Sequence, residues 1–103
     1  MTRIEQLHQF LEEDPTDPFN LYALALEYQK TDVPQALKFF DRLIEEHEDY
    51  LPAYYSFARL CAESGDTPKA IRLYETGLEK ARVQREQKTM RELQAALDEL
   101  LFE

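Results

Sequence analysis

Apolar positions recur along this chain with the 3.6-residue period of amphipathic helices from one end to the other. Thr2 followed by Glu5 makes a capping box, after which Ile4, Leu7 and Leu11 share one helix face. Asp14-Pro15-Thr16-Asp17-Pro18 ends that helix and opens another, with Asp17 suited to the N-cap and Pro18 to the first helical position, where its missing N–H is harmless. Leu21, Leu24, Ala25 and Tyr28 line the second helix, which should stop near Thr31. Asp32-Val33-Pro34 starts a third, apolar at Ala36, Leu37, Phe40, Leu43 and Ile44. Glu48-Asp49-Tyr50-Leu51-Pro52 is the next break. Tyr54, Phe57, Ala58 and Cys61 then face inward on a helix that Gly65 ends. Asp66-Thr67-Pro68 repeats the Asp-x-Pro start ahead of Ala70, Ile71, Leu73, Tyr74 and Leu78. Beyond Leu78 no proline or glycine intervenes. A second capping box at Thr89 and Glu92 predicts a last helix carrying Leu93, Leu97 and Leu100, with a break between Arg82 and Thr89; one unbroken helix from Pro68 to Leu101 is the alternative.

The pattern nearly repeats. Pro34, Ala36 and Phe40 recur as Pro68, Ala70 and Tyr74, each 34 residues on, and Asp32 matches Asp66. Leu21, Leu24, Ala25 and Tyr28 match Tyr54, Phe57, Ala58 and Cys61 at a shift of 33, and Gly65 accounts for the one-residue difference. A helical pair of this period resembles the tetratricopeptide repeat, whose pattern is W-x2-L-G-x2-Y…A-x3-F…P. The first copy supplies Leu21, Leu24, Ala25, Tyr28, Ala36 and Phe40; the second supplies Tyr54, Phe57, Ala58, Cys61, Ala70 and Tyr74. Neither copy has the tryptophan, and Glu48 and Arg82 stand where the closing proline is expected. The resemblance implies an all-α fold of antiparallel helix-turn-helix repeats in a right-handed superhelix, with an N-terminal helix (1–14), two repeats (18–49 and 51–82) and a capping helix (83–103) in a single domain.

It also implies a protein-protein interaction module. In this family the first helix of each pair lines a concave surface that holds a peptide or protein segment. Beside the packing face, Phe19, Tyr22, Leu26 and Gln29 form one stripe, and Pro52, Tyr55, Arg59 and Ala62 another. Phe19, Tyr22 and Tyr55 would make an aromatic groove, with Gln29 and Arg59 as polar handles, a composition typical of interaction hot spots. The plainer alternative is that Phe19, Tyr22 and Leu26 pack beneath the first helix. Family members that clamp a chaperone's C-terminal carboxylate use lysine and asparagine on these helices; here Tyr22, Leu26, Tyr55 and Arg59 stand there, so a more apolar target is expected, with Arg59 alone able to hold a carboxylate. A second expectation is self-association, a weak homodimer built through Met90, Leu93, Leu97, Leu100, Leu101 and Phe102 of the last helix.

Composition narrows the classes further. The net charge of −9 resides wholly in residues 1–66, with 5 Lys/Arg against 14 Asp/Glu; residues 67–103 hold 7 of each, basic from Lys80 to Arg91 and acidic at Glu92, Asp98, Glu99 and Glu103. An acidic chain repels phosphate backbones, so no nucleic-acid partner is expected. There is no apolar run of about 20 residues and no secretory leader, so no membrane partner and a cytoplasmic location are expected. His8 and His47 lack metal-ligand spacing, and His47 reads as an exposed histidine among carboxylates. Cys61 reads as a buried apolar thiol. With two glycines there is no phosphate loop, and no nucleophile elbow occurs. No cofactor, metal or enzymatic activity is expected.

Overall fold

The computed structural model describes residues 1–102 and holds six helices among them. They are α1 (Arg3–Glu13), α2 (Pro18–Tyr28), α3 (Val33–Glu46), α4 (Leu51–Glu63), α5 (Thr67–Gln84) and α6 (Gln87–Leu101), with no strand. Glu103, the last residue of the acidic end, lies outside the described residues. The helices fall into two compact units, one from Met1 to Tyr50 and one starting at Leu51.

In the first unit α2 packs against both α1 and α3. Each helix starts where a side chain satisfies an otherwise orphaned backbone donor. Thr2 Oγ1 accepts from the Glu5 amide at 3.1 Å, Asp17 from Phe19 at 2.9 Å and Asp32 from Gln35 at 3.2 Å. Leu21, Leu24, Ala25, Ala36, Phe40 and Leu43 form the core, all fully excluded from solvent. Asn20 is the one buried polar side chain in the described core, and its amide donates to the carbonyls of Phe10 at 3.3 Å and Asp14 at 2.9 Å. It thereby closes the C-terminus of α1, which has no glycine to do so. Asn20→Ala removes the second donor from each carbonyl, leaving them the amides of Asp14 and Asp17, and is expected to cost about 0.5–1.5 kcal/mol, read as a lower urea midpoint at unchanged slope. A second cluster joins the three helices: His8 Nε2 lies 2.8 Å from the Tyr28 hydroxyl, and Phe39 stacks on Tyr28 at 5.5 Å between centroids.

In the second unit α5 packs against α4 and α6. Its internal correspondence with the first is visible at the turns. Asp66 caps α5 by accepting from Lys69 at 3.2 Å, the same bond that Asp32 makes in α3. The Asp32 amide reaches the Tyr28 carbonyl and the Asp66 amide reaches the matching Cys61 carbonyl, at 2.6 and 2.8 Å. The second turn spends one more residue, Gly65, at φ 89°. A left-handed residue here lets two amides fold back on the last turn of α4, and glycine takes that conformation without strain.

The same closure ends α5 with an arginine. Arg85 sits at φ 59° and ψ 35°; its amide bonds to the Arg82 carbonyl and the Glu86 amide to that of Ala81. The break between Arg82 and Thr89 is therefore present, but Thr89 does not start the last helix. Helix α6 begins at Gln87 with no side-chain cap, and Thr89 lies inside it. The left-handed turn at Arg85 returns the chain so tightly that helix resumes two residues later. Because a side chain in this region costs roughly 1–2 kcal/mol, Arg85→Gly is expected to stabilise the protein by about 1 kcal/mol, seen as a raised melting temperature.

Candidate functional site

Helix α4 buries Tyr54, Phe57, Ala58 and Cys61 and turns Tyr55, Arg59 and Glu63 outward. These three form one wall of a cavity of about 380 Å³. Tyr74 of α5 and Ala96, Glu99 and Leu100 of α6 complete it. Tyr55 meets Tyr74 edge-on, 6.2 Å between centroids at 71°. Tyr55 is 37% exposed, whereas Tyr74 is buried. A second hollow of about 270 Å³ shares Tyr55, Ala96 and Glu99 and adds Glu92 and Ala95. Together they make a groove running along α6, lined on that helix by Glu92, Ala95, Ala96, Glu99 and Leu100. Helix α6 was missed as a groove wall by sequence reasoning. Its signal was the Ala95-Ala96 pair, set between the core residues Leu93 and Leu97.

Charge at this site is organised around one pair. Arg59 Nε donates to Glu63 Oε1 at 3.1 Å, both side chains exposed. That hydrogen bond, with the attraction of the carboxylate, raises the arginine further above its ordinary value. Arg59 is thus paired within its own helix, and a partner's carboxylate would compete with Glu63 for it. Burial chiefly raises the Tyr74 hydroxyl, helped by Tyr55, Glu99 and Glu63 and opposed by Arg59. In the first unit burial likewise raises Tyr50, assisted by Tyr22 and Asp17.

These two phenols carry a pH dependence. Folded Tyr50 and Tyr74 hold their protons above the ordinary value of 10.0, so the unfolded chain ionises first. Between the two values the folded state binds more protons, and stability falls as pH rises. Their contribution is complete below about pH 10 and lost as pH climbs through the raised values. Urea midpoints are expected to drop from about pH 9 to pH 11, and less steeply in Tyr74→Phe.

The other sequence-predicted residues lie along α2. Phe19 is 55% exposed and Gln29 is exposed; Tyr22 and Leu26 are half-buried. Tyr22 leans edge-on against Phe40 at 6.5 Å and Tyr50 at 5.6 Å. The stripe is therefore divided, with its ends in solvent and its middle packed on α3 and the turn after it. Tyr55 and Arg59 line one cavity, and the α2 residues line neither hollow of the groove.

His47 departs from expectation. It is half-buried, and its Nε2 is enclosed without a hydrogen-bond partner. As the residue that ends α3, it follows the last turn inward, and the acidic neighbours project outward instead. Cys61 is buried, as its apolar neighbours imply. No group of three or more metal-ligating side chains occurs among the described residues, and none of their helices is long and apolar enough to cross a membrane.

The tetratricopeptide-repeat family profile matches residues 27–97. A tetratricopeptide repeat domain protein from Salinibacter ruber, solved by NMR, is 41% identical; the match covers 84% of this chain and 89% of that one with a TM-score of 0.80. A protein from Bordetella parapertussis is 22% identical and shares the fold over 98% of this chain and 89% of its own, with a TM-score of 0.83. MamA, in its crystal structure, is 26% identical with a TM-score of 0.68, matching 95% of this chain and 56% of MamA. Among curated proteins none matches. The repeat spacing, the paired aspartate caps and these likenesses converge: the chain belongs to the tetratricopeptide-repeat family.

Proposed function

We propose that this chain binds a segment of another protein in the groove between α4 and α6, with Tyr55 as the central contact. The observation that carries this reading is the cavity of about 380 Å³ walled by Tyr55, Arg59 and Tyr74. A generic protein-interaction role accompanies the family, and an accessible tyrosine beside an arginine is the composition of an interface hot spot. In the first unit Phe19 and Gln29, exposed on α2, supply a further contact surface, with Tyr22 and Leu26 shaping its base. Nothing in the reading calls for a cofactor or a reaction.

Affinity capture from a lysate of the native source tests it. The wild type is compared with Tyr55→Ala/Ala95→Trp, which removes the aromatic contact and fills the groove. Both positions are solvent-exposed, so the double variant is expected to melt close to the wild type. A protein retained by the wild type and lost by the variant supports the groove. Identical capture by the two sinks it.

A second reading, self-association through α6, is favoured by one observation: Leu101 and Phe102 are 53% and 85% exposed. Against it, Leu93 and Leu97 are already buried within the second unit. Light scattering decides, since a monomer at every workable concentration removes this reading.

A further inference from the structure

We propose that the α4/α6 groove receives an extended segment bearing two basic side chains three residues apart, one beside Glu99 and Tyr55 and the other beside Glu92. The inference rests on the reading of this groove as a protein-binding surface and specifies what it selects. Glu63, Glu92 and Glu99 line the two hollows, and among the described residues Arg59 is the one cation that does. Arg59 is held by Glu63 at 3.1 Å, so that pair is neutral. Glu92 and Glu99 remain, exposed and without a hydrogen bond or ion pair among the described residues. Two uncompensated carboxylates disfavour an acidic segment and attract a cationic one.

Geometry sharpens the charge argument. Glu92 and Glu99 are seven residues apart on one helix, two turns along the same side, or about 10.5 Å at 1.5 Å per residue. A segment extended as polyproline II has three residues per turn and advances about 3.1 Å per residue, so side chains three residues apart point to the same side at a spacing of roughly 9 Å, close to that span. Tyr55, partly exposed and lining both hollows, offers a ring against which an ammonium or guanidinium gains a cation–π contact. Ala95 and Ala96 between the two carboxylates leave room for the partner's backbone to lie close to α6. The Tyr74 hydroxyl reports the same field from inside, with Glu99 and Glu63 acting on it in one sense and Arg59 alone opposing them.

The test is an NMR titration of the labelled protein with two capped hexapeptides, Gly-Lys-Ala-Ala-Lys-Gly and Gly-Glu-Ala-Ala-Glu-Gly. The lysine peptide is expected to shift the amide signals of Ala62, Ala95 and Ala96 with millimolar-range affinity that weakens as salt is raised. Glu92→Gln and Glu99→Gln should each weaken it by about two- to five-fold, a range typical of exposed charge pairs. Arg59→Gln, which releases Glu63, should strengthen it. All three side chains are exposed, so melting curves that overlay the wild type accompany these results. The inference is overturned if the glutamate peptide moves the same signals as strongly, which would leave the groove a binding surface of different taste. It is equally overturned if the lysine peptide moves no signal, or only signals outside the groove. Failure of the groove reading itself shows separately, as partner capture indifferent to Tyr55→Ala/Ala95→Trp.

Discussion

Replacing Phe57 by alanine is expected to cost about 3–5 kcal/mol of folding stability, the range for a fully buried aromatic truncated in a core that cannot close around the space. Phe57 is completely excluded from solvent on α4, and the Lys69 ammonium sits 4.8 Å from its ring centroid. Truncation removes the ring's transfer free energy, opens a void at the base of the second unit and removes the surface over which Lys69 lies. Domains of this size are typically stable by about 5–15 kcal/mol, so the variant keeps little margin. Urea denaturation followed by circular dichroism checks it, with a loss of at least about 3 kcal/mol expected. The control is two residues away: Tyr55→Ala, on the outward face of the same helix, should lose far less. Equal losses would mean that the inward and outward faces of α4 are wrongly drawn.

Gly77→Val is the second large effect. Gly77 is buried in α5, and a Cβ built there would lie 2.7 Å from Tyr54 Cβ and 3.2 Å from Leu93 Cδ1. The nearer atom is fixed to the α4 backbone, so a rotamer change cannot relieve the clash. Helix propensity alone favours replacing a mid-helix glycine, by up to about 1 kcal/mol for alanine. Packing opposes it, since overfilled cores typically cost about 1–3 kcal/mol and sometimes more. With three carbons to place, valine is expected to fall at or beyond the upper end of that range, and alanine to be destabilising by a smaller amount. Melting temperatures ordered wild type, Gly77→Ala, Gly77→Val, from highest to lowest, are the expected result. An alanine variant more stable than the wild type would show that α4 and α5 are not held this close.

Gly77 also illustrates what a sequence leaves hidden. Its neighbours Tyr54 and Leu93 lie 23 and 16 residues away, and no local pattern announces that three helices converge on it. By contrast, Asp32, Asp66 and the prolines that follow act within one turn of chain, and the helix starts they mark are present as expected. The 33- and 34-residue shifts were legible because each repeat builds the same hairpin, so its core positions return in register. The end of α5 was harder, since an arginine carries the left-handed turn that glycine carries at Gly65. Thr89 and Glu92 imitate a capping box, yet the turn had closed upstream and they lie within α6. Along α2, periodicity located the stripe of Phe19, Tyr22, Leu26 and Gln29 but could not apportion it. Whether Tyr22 packs depends on Phe40 and Tyr50, distant in sequence. At the groove, Tyr55 and Arg59 were visible as outward positions, whereas the bond from Arg59 to Glu63 and the facing wall of α6 emerge only from packing.

The groove's physical character follows from these particulars. Core demands on α4 are met by Tyr54, Phe57, Ala58 and Cys61, which frees Tyr55 and Arg59 from a structural duty. Leu93 and Leu97 anchor α6 against its unit, and the alanines between them leave a hollow where a larger residue would fill it. The most direct measurement places a photo-crosslinking side chain at position 95, in the groove, or at position 83, where Val83 is exposed at the end of α5. Each protein is irradiated in a lysate of the native source. The account predicts a partner crosslinked from position 95, absent from position 83 and lost when Tyr55→Ala is added. Crosslinking of the same proteins from both positions, or from position 83 alone, would contradict it.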